Sequence, residues 1–227
     1  MRKLLLLGLI TAGLVGNACS AAISGAEFKE GVQYVPVPQK VAPDDRNVVR
    51  VQEFFWYGCP HCYRLDPLID AWAAKLPKDV VFERVPNTLG RPIGQVHQRA
   101  FYIAEVLGVL GKTHTPLFDA IHRDGLPMGN LGDIRSLYVR VAGITAQQFD
   151  DASSSFVVDA DMRRADQLAQ DYGILSVPTV VVGGEYVTDG EKAGSGIKGI
   201  SEKQSFERML KVASFLIDKV RAQRGLH

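Results

Sequence analysis

Apolar residues come in three textures along this 227-residue chain, and each predicts a different kind of element. From Asn47 to Trp56 they form a dense run rich in Val and Phe, bounded by Asp44-Asp45-Arg46 and Gly58, the pattern of a buried strand. A helix follows from Pro60 toward Leu76, with a kink expected at Pro67, and Asp79 to Val85 reads as a second buried strand. Strand, helix and strand with a crossover of this length make a βαβ unit. From Ile93 to about Tyr172 the period changes to three and four residues, and helices are expected at Gln95–Leu110, Thr115–His122, Asp133–Val141, Ala146–Ala152 and Phe156–Tyr172. Thr145 and Gln148 are spaced as a capping box. Strand texture returns at Val177–Val182, and Gly183-Gly184 before Glu185–Thr188 predicts a hairpin. After a Gly-, Lys- and Ser-containing loop over 188–199, Ser201 and Gln204 cap a last helix. Its apolar stripe is Phe206, Met209, Leu210, Ala213, Leu216, Ile217 and Val220.

The expected fold is therefore α/β with an inserted all-helical segment. Residues 46–92 and 173–227 supply the two parts of the α/β unit and 93–172 the insertion. Residues 23–45 read as an extended lead-in with Pro36, Pro38 and Pro43 and a short strand at Tyr34–Val37. Ahead of it, Met1-Arg2-Lys3, the apolar stretch Leu4 to Val15 and the small residues at Ala18 to Ala22 have the form of a cleaved secretory signal, residues 1–22. Such a signal sends the mature chain, in bacteria, to the oxidising periplasm. Cys19 stands where a lipid-modified cysteine would lie, but Gly16 occupies a position usually held by Leu. Cleavage near Ala21 or Ala22, which discards Cys19, is the preferred reading over lipid anchoring.

A formal net charge of +1, with no Lys/Arg block, removes the electrostatic case for a nucleic-acid or anionic-membrane partner. The chemistry is concentrated in Cys59-Pro60-His61-Cys62, directly after Phe54-Phe55-Trp56-Tyr57-Gly58. Proline is favoured at the first helical position, so Pro60 puts Cys59 at the N-cap, facing unpaired N–H groups and the positive end of the helix dipole. Both favour the thiolate. Cys59 is expected to be the exposed, reactive thiol and Cys62, one turn inside, the resolving one. His61 can donate to or pair with the Cys59 sulfur. Stabilising the thiolate stabilises the reduced pair, which makes the disulfide an oxidant. A zinc site is disfavoured because there is no second Cys pair and His97, His114, His122 and His227 lack ligand spacing. A two-residue disulfide loop would add little stability as a structural staple. Gly194-Ser-Gly196-Ile-Lys-Gly199 matches a dinucleotide-loop pattern but leads into no βαβ unit, so it is read as a surface loop.

Cys-Pro-His-Cys after a Phe-rich strand, the helical insertion and Val177-Pro178 opening a late strand together resemble the DsbA family of thioredoxin-fold thiol oxidases, from about Val48 to the last helix. The resemblance implies a thioredoxin fold with an inserted helical domain and a periplasmic disulfide oxidase. No cofactor or metal beyond the Cys59–Cys62 pair is expected. Cys59 would be the nucleophile and Cys62 the resolving thiol. Pro178 would be the cis-proline facing them, with Val177 offering its backbone to substrate. On the residues alone Pro178 could equally be trans. Glu53 matches the family's buried acid and could relay the Cys62 proton; the alternative is a solvated strand edge. Asp66 matches an acidic family position or lies on a solvated helix face. Trp56, Tyr57 and the 188–199 loop could line a substrate groove or, for the aromatics, belong to the core. Implied partners are unfolded, reduced exported proteins and a DsbB-like quinone-linked membrane reoxidant, with the protein monomeric. The alternatives are a disulfide isomerase or reductase on the same fold, for which residues 23–45 leave little room for a dimerisation module, and a non-catalytic holdase.

Overall fold

The computed structural model describes residues 28–226, so the expectations for the signal segment and for Cys19 lie outside the described residues. In chain order the elements are β1 (Val35–Pro36), β2 (Val49–Phe55), α1 (Pro60–Ala73), β3 (Val80–Pro86), α2 (Pro92–Val106), α3 (Leu110–His122), α4 (Leu131–Ala142), α5 (Ala146–Ser153), α6 (Phe156–Asp171), β4 (Thr179–Val182), β5 (Tyr186–Asp189), α7 (Gly190–Gly194) and α8 (Glu202–Arg224). The strands form one sheet in the order β1-β5-β4-β2-β3. β2 and β3 are parallel, linked by α1, while β4 runs antiparallel to β2 and β5 antiparallel to β4. Side-chain alternation then divides the strand residues between two faces. Val49, Val51, Val180 and Val182 pack with Leu65 and Ile69 of α1 and the stripe of α8. Phe54, Val85 and Val181 pack on the opposite side with Phe101, Phe118 and Tyr138 from the helices between β3 and β4.

All seven residues of the last helix's expected stripe are buried, and both expected capping boxes form, at Thr145–Gln148 and Ser201–Gln204. Gly183 and Gly184 both take positive φ, 66° and 68°, the conformation a two-residue hairpin turn requires. Pro67 lies inside its helix, as the sequence reading placed it, and the helix ends at Ala73. Two details depart from the sequence reading. The late strand begins at Thr179, leaving Val177 and Pro178 in the turn before it. Residues 188–199 are not a plain surface loop. Thr188 and Asp189 complete β5, and Asp189 caps the short α7, where Ala193 and Gly194 are buried. Arg208 of α8 donates to Ala193 O at 2.7 Å, so tertiary contact orders a segment whose composition looks like linker.

Leu216 is fully buried at the centre of the α8 stripe. Leu216→Ala is expected to lower unfolding free energy by about 2–5 kcal/mol, read by urea denaturation, since the sheet behind it cannot collapse into the cavity.

Candidate active site

β2 delivers its C-terminal end to the start of α1, and Gly58 makes the connection possible because a Cβ there would run into the Trp56 indole. Pro60 occupies the first turn of α1, and Cys59 is the N-cap with extended backbone (φ −91°, ψ 116°). The Cys62 backbone N–H points at the Cys59 sulfur at 3.4 Å. Both cysteines are free thiols. The expected exposed sulfur is in fact nearly covered, Cys59 being 6% exposed and Cys62 0%. The cover is the turn before β4. The Val177–Pro178 bond is cis, and the Cys59 thiol donates to Val177 O at 3.5 Å. A hydrogen bond from the Cys62 thiol, opposed by burial and helped by the N–H groups of Cys62 and His61 and the nearby imidazole, brings the Cys59 pKa down to about 6. Burial, and then the neighbouring Cys59, push the Cys62 thiol well above its usual value. The two sulfurs are unequal chemically although both are enclosed.

His61 does not turn its ring to the Cys59 sulfur. Its Nδ1 contacts Glu202 at the start of α8, and Arg64 contacts the same carboxylate and, at 3.1 Å, the His61 ring. The Glu202 carboxylate thus takes the ring contact that the sequence reading gave to the sulfur. Beside this cluster a groove of about 280 Å³ runs between α1 and α8, lined by Pro67, Leu68 and Phe206 with Arg64, Glu202 and Lys203 at its edge. Tyr57, considered above for such a groove, is fully buried, and Trp56 packs against the same core.

Beneath the thiols, Glu53 is 2% exposed, and the parallel register of β2 with β3 sets it opposite Arg84. Arg84 Nε lies 3.3 Å from Glu53 Oε2 but is not aligned for a hydrogen bond, and both atoms lack one. The guanidinium is turned instead toward α1, where Nη2 donates to Asp66 at 2.9 Å and also contacts Asp70. Burial therefore dominates and raises the Glu53 pKa to about 8, Arg84 offsetting it only in part. Asp66 is 5% exposed rather than solvated, and despite the cost of burial its pKa is lowered by His114 and Arg84.

The chain as a whole has known relatives. Residues 50–198 match the DSBA-like thioredoxin domain family. The thiol:disulfide interchange protein DsbA of Azotobacter vinelandii is 40% identical, covering 98% of this chain and 99% of its own. The chain belongs to the DsbA family. Among solved structures, Pseudomonas aeruginosa DsbA superposes with a TM-score of 0.78 at 34% identity, covering 88% of this chain and 97% of that one. A Proteus mirabilis DsbA variant with the non-covalently bound peptide PWATCDS has a TM-score of 0.65 at 25% identity, covering 85% of this chain and 100% of its own. The DsbA-family fold is that of thioredoxin with helices inserted, and the enzyme class is thiol:disulfide oxidoreductase, here a disulfide oxidase.

Several residues of this DsbA-family site were not singled out from the sequence for the positions they occupy. Arg84, Arg64 and Glu202 carry no local signal, since each meets its partner through tertiary contact. His114 and His122 were considered only as metal ligands. Their spacing with Phe118, four residues apart on one helix face, was the available clue.

Because the thiolate is the nucleophile, the rate of Cys59 alkylation by iodoacetamide in the reduced protein is expected to rise with a midpoint near pH 6. For Glu53 the folded pKa of about 8 lies above the usual 4.5, so its favourable contribution is present below about pH 4.5 and lost as pH rises through 8. Glu53→Gln is therefore expected to stabilise the fold by about 4 kcal/mol at pH 8 and by almost nothing at pH 4, measured by urea denaturation at the two pH values.

Proposed function

We propose that the protein is the periplasmic donor of disulfides to newly exported, still reduced proteins, acting as a monomer with the Cys59–Cys62 pair as its redox group. The observation that carries this reading is the inequality of the two thiols. Cleaving the disulfide yields one sulfur, Cys59, that is stable as a thiolate near neutral pH, which favours the reduced product and makes the oxidised form a strong oxidant.

In the first step a substrate thiolate attacks Cys59 Sγ. A substrate–Cys59 disulfide forms, the Cys59–Cys62 bond breaks, and its electron pair leaves on Cys62. The buried Cys62 thiolate is costly, and Glu53, which electrostatically opposes its charge, supplies the proton to make the thiol. A second substrate thiolate then attacks the substrate's own sulfur in the mixed disulfide. The substrate disulfide forms, and Cys59 departs as a thiolate. The substrate has lost two electrons and two protons overall, and the enzyme holds the reduced pair. Val177, whose carbonyl lies beside Cys59, and Pro178 offer the backbone edge along which an extended substrate segment would align. The peptide non-covalently bound to the Proteus mirabilis relative supports a polypeptide substrate. Reoxidation runs through the reverse exchange with a quinone-linked membrane partner resembling DsbB. Glu53 then takes the proton from Cys62 so that it can attack.

The test is the redox equilibrium of the pair against glutathione, read by mass after trapping free thiols. A potential above roughly −180 to −210 mV, the poise of an oxidising secretory lumen, is expected, and a value near −270 mV would make the protein a reductase instead. Cys59→Ala should abolish oxidation of a reduced, unfolded substrate; full retained activity would replace catalysis with simple chain binding.

A further inference from the structure

The face of α3 that points at the active site carries His114, Phe118 and His122. His122 Nε2 lies 2.7 Å from Tyr57 O and thus holds the backbone just ahead of Cys59. His114 reaches further. Its Nδ1 is 2.8 Å from the Tyr57 hydroxyl and its Nε2 is 3.0 Å from Asp66 Oδ1. The ring is 6% exposed and boxed by Phe55, Tyr57 and Phe118, with centroids 5.1 to 5.3 Å away.

The hydrogen-bond pattern sets the proton positions. An imidazolium in this aromatic box would be poorly solvated, so His114 is neutral and one nitrogen must accept. Asp66, already held by Arg84, is a carboxylate and can only accept, so Nε2 carries the hydrogen. Nδ1 then accepts from the Tyr57 hydroxyl, a consistent assignment from Tyr57 through His114 to Asp66. Asp66 gains two donors, His114 and Arg84. The groups facing Glu53 are Arg84 from β3 and Cys62, Asp66 and Asp70 from α1; its partner in β4 is the uncharged Val180. Those facing His114 are Tyr57, Asp66, Asp70 and Arg84. In this set the arginine is the one cation for three carboxyl groups, and its direction decides which of them ionise.

We infer that His114, from the inserted helices, is a positioning residue for the oxidase reaction: by holding Asp66 as a carboxylate it keeps Arg84 turned toward α1 and leaves Glu53 without a full ionic partner beneath Cys62. The inference rests on the reading of Glu53 as the proton carrier for Cys62. It adds that the helical insertion, through one side chain, sets the state in which that carrier waits. Loss of the His114 donor raises the proton affinity of Asp66, frees Arg84 toward Glu53 and stabilises the Glu53 carboxylate.

The experiment is a ¹³C NMR titration of the Glu53 side-chain carboxyl in the mature protein. It is read in the disulfide form, where Cys62 has no proton to share and the site titrates singly. His114→Phe keeps the aromatic box and removes both polar atoms. Its Glu53 midpoint is expected to fall by about one pH unit, a tenfold change in the protonation equilibrium. Asp66→Asn should shift it the same way, and the double variant no further than Asp66→Asn alone. His114→Gln, whose amide can donate to Asp66 and accept from Tyr57, should restore most of the native midpoint. An unchanged midpoint in His114→Phe beside a lowered one in Asp66→Asn overturns the inference, as does full additivity in the double variant. Should His114→Phe fail to fold, Tyr57→Phe withdraws the hydroxyl from Nδ1 and should lower the midpoint at least about threefold in the equilibrium, and no movement there overturns the proposal. Failure of the underlying reading is seen separately. If Glu53→Gln oxidises reduced substrate as fast as the native protein, Glu53 carries no catalytic proton, whatever His114 does to its titration.

Discussion

The site depends on Cys59 standing at the N-cap of α1. A sulfur there receives the Cys62 thiol and two backbone N–H groups that the helix cannot otherwise use, and these together outweigh the cost of enclosing it. Three other features serve that position. Gly58 lets the chain pass the Trp56 indole on the way out of β2, Pro60 starts the helix without wasting a donor, and the cis Val177–Pro178 turn brings a carbonyl to the thiol from the other side. Moving Gly58 or Pro60 would take Cys59 away from the helix N–H groups that make it acidic. What makes the pair directional is that one sulfur has these donors and the other is buried beside Cys59 and Glu53, which oppose a charge on it.

Beneath that pair the protein buries more charge than a stable core needs. Glu53 and Asp66 are buried and Arg84 is half-buried beside them, and the arginine satisfies the two α1 carboxylates better than the strand carboxylate beside it. Removing Arg84 would leave the buried Asp66 and Glu53 without their cation, at a cost of several kcal/mol, whereas removing the Glu53 charge leaves the arginine paired with Asp66 and Asp70. Retaining a carboxyl group that gives up its proton only near pH 8 is costly to folding, and it is the state that the proposed proton transfer to and from Cys62 calls for. The sheet carries this polar cluster on the face toward α1, while the helices between β3 and β4 fill the other face with aromatics and reach round it through α3.

Much of this was legible in the order of residues. The element types follow from apolar period, with boundaries shifted by a few residues where Pro92 starts a helix earlier or Val177-Pro178 stays out of its strand. The capping boxes, the Gly183-Gly184 hairpin and the stripe of α8 are local patterns, and local patterns survive folding because their partners are three or four residues away. The Cys59 N-cap is of the same kind: Pro60 alone dictates it. Burial of Glu53 was also anticipated, from its place among Val51, Phe54 and Phe55. His61 was different. Its neighbour in the chain is the thiol, but its neighbour in space is Glu202, and an opposite charge across the fold takes the ring.

The chain's own sequence thus determined where the cysteine pair stands on its helix and which of the two sulfurs is the more acidic, because helix starts, caps and apolar periods are properties of short segments. Only the tertiary structure decided how enclosed Cys59 is, which cation stands beside Glu53 and that α3 aims His114 at Asp66. Those facts depend on strand register and helix placement, which join residues such as Glu53 with Arg84 and Asp66 with His114 across long stretches of chain. The energy that sets a buried proton's position comes from those neighbours, and no short stretch of sequence contains them.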